Sequence, residues 1–328
     1  MTMRRAAIAI TFVLAALTAT CAASIAQPRP APIEPGNITI IVPLAAGGPV
    51  DVLARLLADR IATGTGRTVI IENKSGAAGN VGAAAVARSE PNGRTWLLTV
   101  DSLFTVNPHM YASQGFDPDK DLHPISRIGE VVLMMAINPK VPAKTWAELL
   151  ELSQTRPLNF GSAGIGSPGH LALEYLKLAS QFKVAHVPFR GASLALTEVL
   201  AGNVDGAFIV AGVMLDYVRS GAVRALAVSA AQRLPAFPDV PTAIECGIDG
   251  FEARFSNIMA LPANTPEPIR RFVAAELVAF AQDEAIRAKI AALGTELIST
   301  DEAETRAWIA RERERWGKVV KAASLKGN

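Results

Sequence analysis

The stretch PLAAGGPVDVLARLL, residues 43–57, joins a strand to a helix through residues that carry almost no side chain. The preceding run ITIIVPL (38–44) is β-branched and apolar on both faces, which predicts a buried strand of a parallel sheet. Helical spacing then relates Val50, Leu53, Leu56, Leu57 and Ile61. The stretch therefore predicts the strand–loop–helix unit of an α/β protein, with an unusually open loop.

Strand and helix patterns alternate along the rest of the chain. The runs TVIIEN (68–73) and RTWLLTV (94–100) predict further strands, and VVLMMAINP (131–139) begins a second series of strands and helices. Helices are predicted at 267–282, 284–293 and 301–321, with STDE (299–302) as a capping box for the last. Because 328 residues are too many for one typical core, two α/β domains with mostly parallel sheets are expected.

Composition narrows the classes of partner. There are 32 Lys and Arg against 30 Asp and Glu, giving a net charge of +2, and half of the residues are hydrophobic. The chain lacks the basic blocks that follow a phosphate backbone, so nucleic acid is not an expected partner. No motif for a metal or a nucleotide is present, and no cofactor is expected.

The N-terminus has the pattern of a secretory signal peptide. Arg4 and Arg5 precede the uncharged apolar run 6–20, and SIA (24–26) offers small residues for cleavage near Ala26. A membrane anchor is the alternative, but the run is short for a bilayer span, and a lipoprotein at Cys21 lacks the expected flanking residues. Cleavage predicts an exported, periplasmic protein with a Pro-rich leader at 27–36 and a single cysteine, Cys246, which we interpret as a buried small hydrophobe.

The opening loop has the features of an anion site. The first N–H groups of a helix have no partner, and the helix dipole places partial positive charge there. Small residues let an anion approach that backbone, and proline suits the first helical position. The residues concerned are Leu44, Ala45, Ala46, Gly47, Gly48, Pro49 and, in the first turn, Asp51.

A second stretch, NFGSAGIGSPGHLALEYL (159–176), repeats this pattern. Its candidate residues are Ser162, Ala163, Gly164, Ile165, Gly166, the N-cap Ser167 and the first-turn His170. Either loop alone is explained by ordinary strand–helix packing. Two such loops favour a shared anion site between domains.

Catalytic patterns are sparse. The histidines (109, 123, 170 and 186) form no metal-binding or protease motif, and Ser162 is not in a G-x-S-x-G elbow. His186 is interpreted as a core or hinge residue, and Asp205 most simply as a turn residue.

Taken together, the stretches resemble the substrate-binding receptors of tripartite tricarboxylate transporters, the Bug-type receptors. The similarity is carried by IVPLAAGGPVDVLARLLADRI, VIIENKSGAAGNVGAAAVA, NFGSAGIGSPGHLALE, HVPFRGASLALTEVLAGNVDGAF and FPDVPTAIECGIDGFEA, in this order across the mature chain. The resemblance implies a two-domain, type II periplasmic-binding-protein-like fold. One domain would comprise residues 37–129 with 251–328, and the other 130–250, with hinges near 130–138 and 250–257.

The resemblance also implies a function: capture of a small organic carboxylate by both loops through hinge closure, for delivery to the membrane components of a transporter. We expect a monomer that is not an enzyme. Beyond the two loops, the expected ligand-binding residues are Ser102, Arg190 and Asp205. Asp51 could hold an amino group of a ligand or be a first-turn charge, and Arg190 could contact ligand or only solvent.

Two departures from the family pattern bear on the ligand. Pro49 stands where such receptors usually carry Ser or Thr, which removes a hydroxyl and an N–H from the first loop and predicts fewer donors there. FIVAG (208–212) is more apolar than expected and predicts an apolar wall suited to an aromatic or branched acid. The alternatives are a sensor subunit without a transporter, and an exported α/β hydrolase using Ser162 or Ser167 with His170.

Overall fold

The structure is a computed structural model that describes residues 32–248, 251, 253–291 and 295–327. The strands in this part of the chain are β1 (Ile38–Val42), β2 (Val69–Asn73), β3 (Thr95–Val100), β4 (Leu122–Val131), β5 (Leu133–Ile137), β6 (Leu158–Ser162), β7 (Val184–Pro188), β8 (Gly206–Val210), β9 (Arg224–Val228), β10 (Phe255–Pro262) and β11 (Thr295–Glu296). The predicted signal peptide and part of the leader lie outside these residues, as do positions 250 and 252 of the second hinge.

Helices alternate with the strands, as the sequence predicts. They are α1 (Pro49–Thr65), α2 (Asn80–Ala87), α3 (Ser102–Thr105), α4 (Asn107–Met110), α5 (Trp146–Thr155), α6 (Pro168–Ser180), α7 (Ala192–Ala201), α8 (Leu215–Arg219), α9 (Glu267–Gln282), α10 (Glu284–Ala291) and α11 (Glu302–Ala322). Among these residues, no helix is both long enough and apolar enough to span a bilayer.

The strands form two sheets. The first has the order β11-β4-β10-β3-β1-β2, and the second has the order β7-β6-β8-β5-β9. The chain passes from the first sheet to the second between β4 and β5, with only Val132 between them. The predicted fold of two α/β units with flanking helices is confirmed. The sheets are mixed rather than mostly parallel, because β10 and β5 run against their neighbours: four of the strand pairs in the described residues are parallel and five are antiparallel.

Strand directions place both candidate loops at facing edges. β1 is parallel to β3, and β10 is antiparallel to both β3 and β4, so β1 and β4 end at the same edge of the first sheet. In the second sheet β6 is parallel to β8, and β8 is antiparallel to β5, so β6 ends where β5 begins. Since β4 leads directly into β5, the loops after β1 and β6 lie on either side of the crossover.

Aromatic side chains connect the two units. Tyr175 of α6 stacks on Phe251 at 5.1 Å between centroids and meets the edge of Trp316 of α11 at 6.2 Å. Phe208 of β8 also stacks on Phe251, and Phe255 of β10 stacks on Trp316. The long C-terminal helix therefore packs against the second unit as well as the first, which joins their cores at this point.

The capping box of α11 lies two residues later than predicted. Asp301, not Ser299, is the N-cap: its carboxylate accepts the Glu304 N–H at 2.8 Å, and Glu304 accepts the Asp301 N–H at 3.3 Å. The pattern Asp-x-x-Glu satisfies the same rule as Ser-x-x-Glu, and the structure selects the pair that begins the helix.

Candidate ligand-binding site

Loop 1, residues 43–48, connects β1 to α1 with its backbone open to solvent. Ala45, Ala46 and Gly47 are exposed, whereas β1 before them is buried. Pro49 is the first helical residue, as predicted, with Gly48 as an N-cap that offers no side chain. The intrahelical bonds begin with the Val52 N–H donating to the Gly48 carbonyl. The N–H groups of the first turn are therefore available to an anion.

Asp51 anchors loop 1 from within the helix. One carboxylate oxygen accepts the Gly47 N–H at 2.9 Å, and Arg55 and Asn73 donate to the same carboxylate at 2.9–3.1 Å. Burial opposes ionisation of Asp51, but the hydrogen bonds from Arg55, Gly47 and Asn73 outweigh it, so its pKa lies below the usual value. The carboxylate is 2% exposed and fully engaged, so Asp51 does not offer a contact for a ligand amino group.

Asn73 is a site residue that the sequence analysis missed. It ends β2, next to β1, and its amide donates both to the Leu44 carbonyl and to Asp51. Its signal is weak in sequence because Asn at a strand end also reads as an ordinary turn residue.

Loop 2, residues 163–167, connects β6 to α6 in the second unit. Ser167 is the N-cap and accepts the His170 N–H, and Pro168 is the first helical residue. Ile165 is exposed at the tip of the loop. A Cβ on Gly166 would lie 3.4 Å from the sulfur of Met110 in α4, so this loop touches the first unit.

A polar cluster lies beneath loop 2. The Gly166 N–H donates to Nδ1 of His170 at 3.0 Å, and the Gly164 N–H donates to the hydroxyl of Ser162 at 3.1 Å. That hydroxyl lies 2.6 Å from Nε2 of His186, whose ring stacks on His170 with centroids 3.9 Å apart. Ser162 and His170, predicted as ligand contacts, are both buried and support the loop from behind.

Both histidines are neutral at ordinary pH. Burial, with the charge of Lys177, lowers the pKa of His170 to about 4. Burial and the neighbouring His170 lower the pKa of His186 to about 4. His186 is the middle residue of β7, the strand paired with β6, so its role was missed because only the sheet pairing brings it to Ser162.

Ser102 and Arg190 lie at the same facing edges as the two loops. Ser102 begins α3 directly after β3 and is half-buried. Arg190 follows β7 and is exposed, and within the described residues no hydrogen bond or ion pair engages its guanidinium. It is a free positive charge at the mouth of the predicted cleft.

The structure corrects the prediction that Asp205 binds the ligand. It precedes β8 and therefore lies at the edge of the second sheet that faces away from loop 2. Its carboxylate accepts from Arg156 at 2.7 Å and from the Asn159 N–H at 2.8 Å. Asp205 is a turn residue that ties two strand ends together, and it cannot reach a ligand in the cleft.

The structure also corrects, in part, the prediction that residues 208–212 form an apolar wall of the ligand site. Phe208, Ile209 and Ala211 are buried in the cores of the second unit, because β8 is the central strand between β6 and β5. Val210 and Gly212 remain partly exposed at the cleft edge. The run is apolar because its strand is covered on both faces, and it does not report the shape of the ligand.

The Ser162–His186 pair has the spacing that the hydrolase alternative requires, although with a different histidine from the predicted one. However, Ser162 is 0% exposed, and its hydroxyl is already bonded to the backbone of loop 2. A nucleophile must reach its substrate. The geometry therefore fits a buried support better than a reactive serine.

Comparison with known proteins identifies the family. Residues 53–325 match the model of the tripartite tricarboxylate transporter family receptor. The chain is 32% identical to the protein BugT of Bordetella pertussis over 309 residues, covering 93% of this chain and 94% of that protein. It is also 32% identical to a UPF0065 protein of Agrobacterium vitis, covering 95% of this chain and 91% of that protein.

Comparison with solved structures gives the same family. The periplasmic binding protein BugD superposes with a TM-score of 0.80 at 29% identity, covering 89% of this chain and 99% of BugD. Rpa4515 of R. palustris, solved with adipate, gives 0.83 at 28% identity, covering 89% of this chain and 99% of that one. MatC of Rhodopseudomonas palustris, solved with malate, gives 0.80 at 28% identity, covering 88% of this chain and 100% of that one. With its two open loops on facing sheet edges, this chain belongs to the tripartite tricarboxylate transporter family of receptors.

Proposed function

We propose that the protein is a periplasmic receptor that captures a small organic carboxylate between loop 1 and loop 2 and presents it to the membrane components of a tripartite transporter. The observation that carries the proposal is the pair of helix N-termini that face each other at the sheet edges, each reached through a loop rich in small residues, exposed in loop 1 and partly buried in loop 2. Adipate and malate in the related Rpa4515 and MatC structures support a carboxylate as the ligand class.

The contacts follow from the geometry. One carboxylate would accept N–H groups from the first turn of α1 and from loop 2, where the helix dipoles favour negative charge. Ser102 would add a hydroxyl, and Arg190 would pair with a second carboxylate. Closure of the two units about the β4–β5 crossover would exclude water from these contacts and strengthen them.

A thermal-shift screen tests the ligand class. The chain from Gln27 onward is unfolded and refolded to remove co-purified ligand, then heated with mono-, di- and tricarboxylates, amino acids and aromatic acids. Ligand at 100 times its Kd stabilises the native state by about 2.7 kcal/mol, so binders raise the melting temperature by several degrees. No shift with any carboxylate would contradict the proposal.

Two further measurements test the remaining parts of this proposal. Proton NMR of a binding acid incubated with the protein should show no product, whereas a hydrolase would convert ester or amide analogues. N-terminal sequencing of the exported protein should begin near Gln27, which an uncleaved anchor would contradict.

A further inference from the structure

His170 occupies in loop 2 the position that Asp51 occupies in loop 1. Each is the third residue of its helix, after a proline at the first position. Each accepts the N–H of the glycine that precedes the N-cap, Gly47 at 2.9 Å and Gly166 at 3.0 Å. The two loops are thus held by the same bond, made from a carboxylate in one unit and from an imidazole in the other.

The support behind each anchor is also equivalent. Asn73, on the strand beside β1, holds Asp51 and the Leu44 carbonyl. His186, on the strand beside β6, stacks on His170 and contacts the Ser162 hydroxyl. In both units, the neighbouring strand therefore supplies the group that fixes the anchor.

We propose that His170, supported by His186, is the positioning residue of loop 2, and that carboxylate binding requires His170 to be neutral. The inference rests on the proposed function and assigns the residues that shape half of that site. Neither histidine needs to touch the ligand. They act through the Gly166 and Gly164 amides, which set the path of the loop backbone.

The tautomer of His170 follows from its partner. A backbone N–H can only donate, so Nδ1 of His170 accepts and must carry no proton. Nε2 then carries the hydrogen and points toward Glu174, whose carboxylate oxygen lies 3.8 Å away. Protonation of His170 at Nδ1 would place an N–H opposite the Gly166 N–H and so break the bond that holds Gly166. The anchor of loop 1 would be lost only when the Asp51 carboxylate itself is protonated.

The ionisable groups around His170 determine how loop 2 responds to pH. Lys177 donates to Glu174 at 2.9 Å on the same helix, and His186 is the ionisable group facing it from β7. The described strands β6 and β8, LNFGS and GAFIV, carry no ionisable side chain. Contact with α11 is made through Tyr175 and Trp316. Among the residues that the structure describes, the carboxylate beside the pair is that of Glu174, which is already paired with Lys177, so burial dominates and keeps both rings neutral.

Four variants test the positioning role. Asn has the reach of Asp51, which makes the equivalent bond in loop 1, so His170→Asn keeps an acceptor for Gly166 without titrating. His170→Ala removes the acceptor, and His109→Asn repeats the chemical change at an exposed histidine of α4. If His170→Ala fails to fold, His186→Phe preserves ring stacking but removes the contact with Ser162 and serves in its place.

The first measurement is the Kd for malate or adipate, whichever gives the larger thermal shift, from pH 4 to pH 8. His170→Ala should raise Kd about tenfold at every pH, and His170→Asn should stay within about threefold at pH 7.5. The ratio of wild-type to His170→Asn Kd cancels ionisation of the ligand, and it should rise as the pH falls toward 4. A flat ratio, or wild-type affinity in both His170→Ala and His186→Phe, would overturn the proposal.

The second measurement needs no ligand. Long-range ¹H–¹⁵N spectra of ¹⁵N-histidine protein should show an unprotonated Nδ1 on His170, and amide exchange at Gly166 should be faster in His170→Ala than in wild type at the same pH. A protonated Nδ1, or unchanged exchange, would contradict the positioning role. If these results hold while no acid binds, the proposed function fails and the anchoring of loop 2 stands.

Discussion

At the scale of single residues, Arg190 and Asp101 show how position decides the state of a charge. Arg190 is exposed to solvent at the cleft edge. Asp101, one residue before Ser102, is completely buried, with one oxygen accepting from Trp308 at 2.8 Å and the other without a partner among the described residues. The first is available to a ligand, and the second contributes to stability in a pH-dependent way.

Replacing Arg190 should distinguish ligands by charge. Arg190→Gln removes a charge-assisted contact to a second carboxylate and should weaken dicarboxylate binding about tenfold, with a smaller effect on monocarboxylates. Titration calorimetry with matched mono- and diacids measures the difference. Lys140→Gln is the control, because Lys140 is exposed beyond the other end of β5. Equal losses for both ligand classes would contradict a direct contact.

Asp101 should make the protein less stable as the pH rises. Burial raises its pKa from 3.8 to about 7, with partial compensation by the Trp308 bond. The folded state therefore binds more protons than the unfolded state between these values, and this group lowers the unfolding free energy as pH increases through that window. Asp101→Asn cannot titrate, so its stability relative to wild type should improve by about 1–3 kcal/mol between pH 5 and pH 8.

Urea unfolding at both pH values measures this difference. A constant difference between Asp101→Asn and wild type would show that Asp101 keeps its ordinary pKa.

At the scale of elements, the start of each helix determines what its loop can offer. Pro49 begins α1 without an N–H or a hydroxyl. Pro49→Ser restores both and should tighten carboxylate binding about threefold or more. Pro49→Ala restores only the N–H, so comparing the two variants by calorimetry separates the two donors. Unchanged or weaker binding by Pro49→Ser would refute the idea that this loop lacks donors.

The start of α6 depends on close packing against β8. A Cβ on Gly169 would overlap the Phe208 carbonyl oxygen, so Gly169→Ala should push the helix off the strand and cost about 3 kcal/mol. Gly64→Ala is the matched control in α1, because a Cβ there meets its nearest atom at 3.9 Å. We expect it to stabilise by about 0.5–1 kcal/mol. Equal melting temperatures for both variants would contradict the packing argument.

At the scale of the whole molecule, the two units meet through aromatic contacts and where Gly166 of loop 2 lies close to the Met110 side chain. The β4–β5 crossover connects them. Closure on a ligand should reduce the radius of gyration measured by small-angle X-ray scattering, and removal of the ligand should restore it. Lys140→Gln, at the exposed position beyond the far end of β5, serves as a control that should close normally. A radius unchanged by saturating ligand would contradict hinge closure.

The described part of the structure holds a cavity of about 990 Å³ beside the crossover rather than between the two loops. It is lined by the loop after β9, by α10 and by β11, which belong to the ends of the two sheets away from β1 and β6. Cavity size alone would therefore point away from the two loops on which the proposed function rests.

The sequence by itself determined the alternation of strands and helices, the two open loops with proline at the first helical position, and the family, because these depend on local spacing and on which residues tolerate each backbone conformation. It could not place Asp205 away from the cleft, pair Asn73 with Asp51, or bring His186 under Ser162. Those relations depend on strand order and direction, which bring together residues 22 to 46 positions apart. Tertiary structure alone decided them, because a sheet joins strands that the chain separates, and only the paired sheet shows which side chains support a loop and which can meet a ligand.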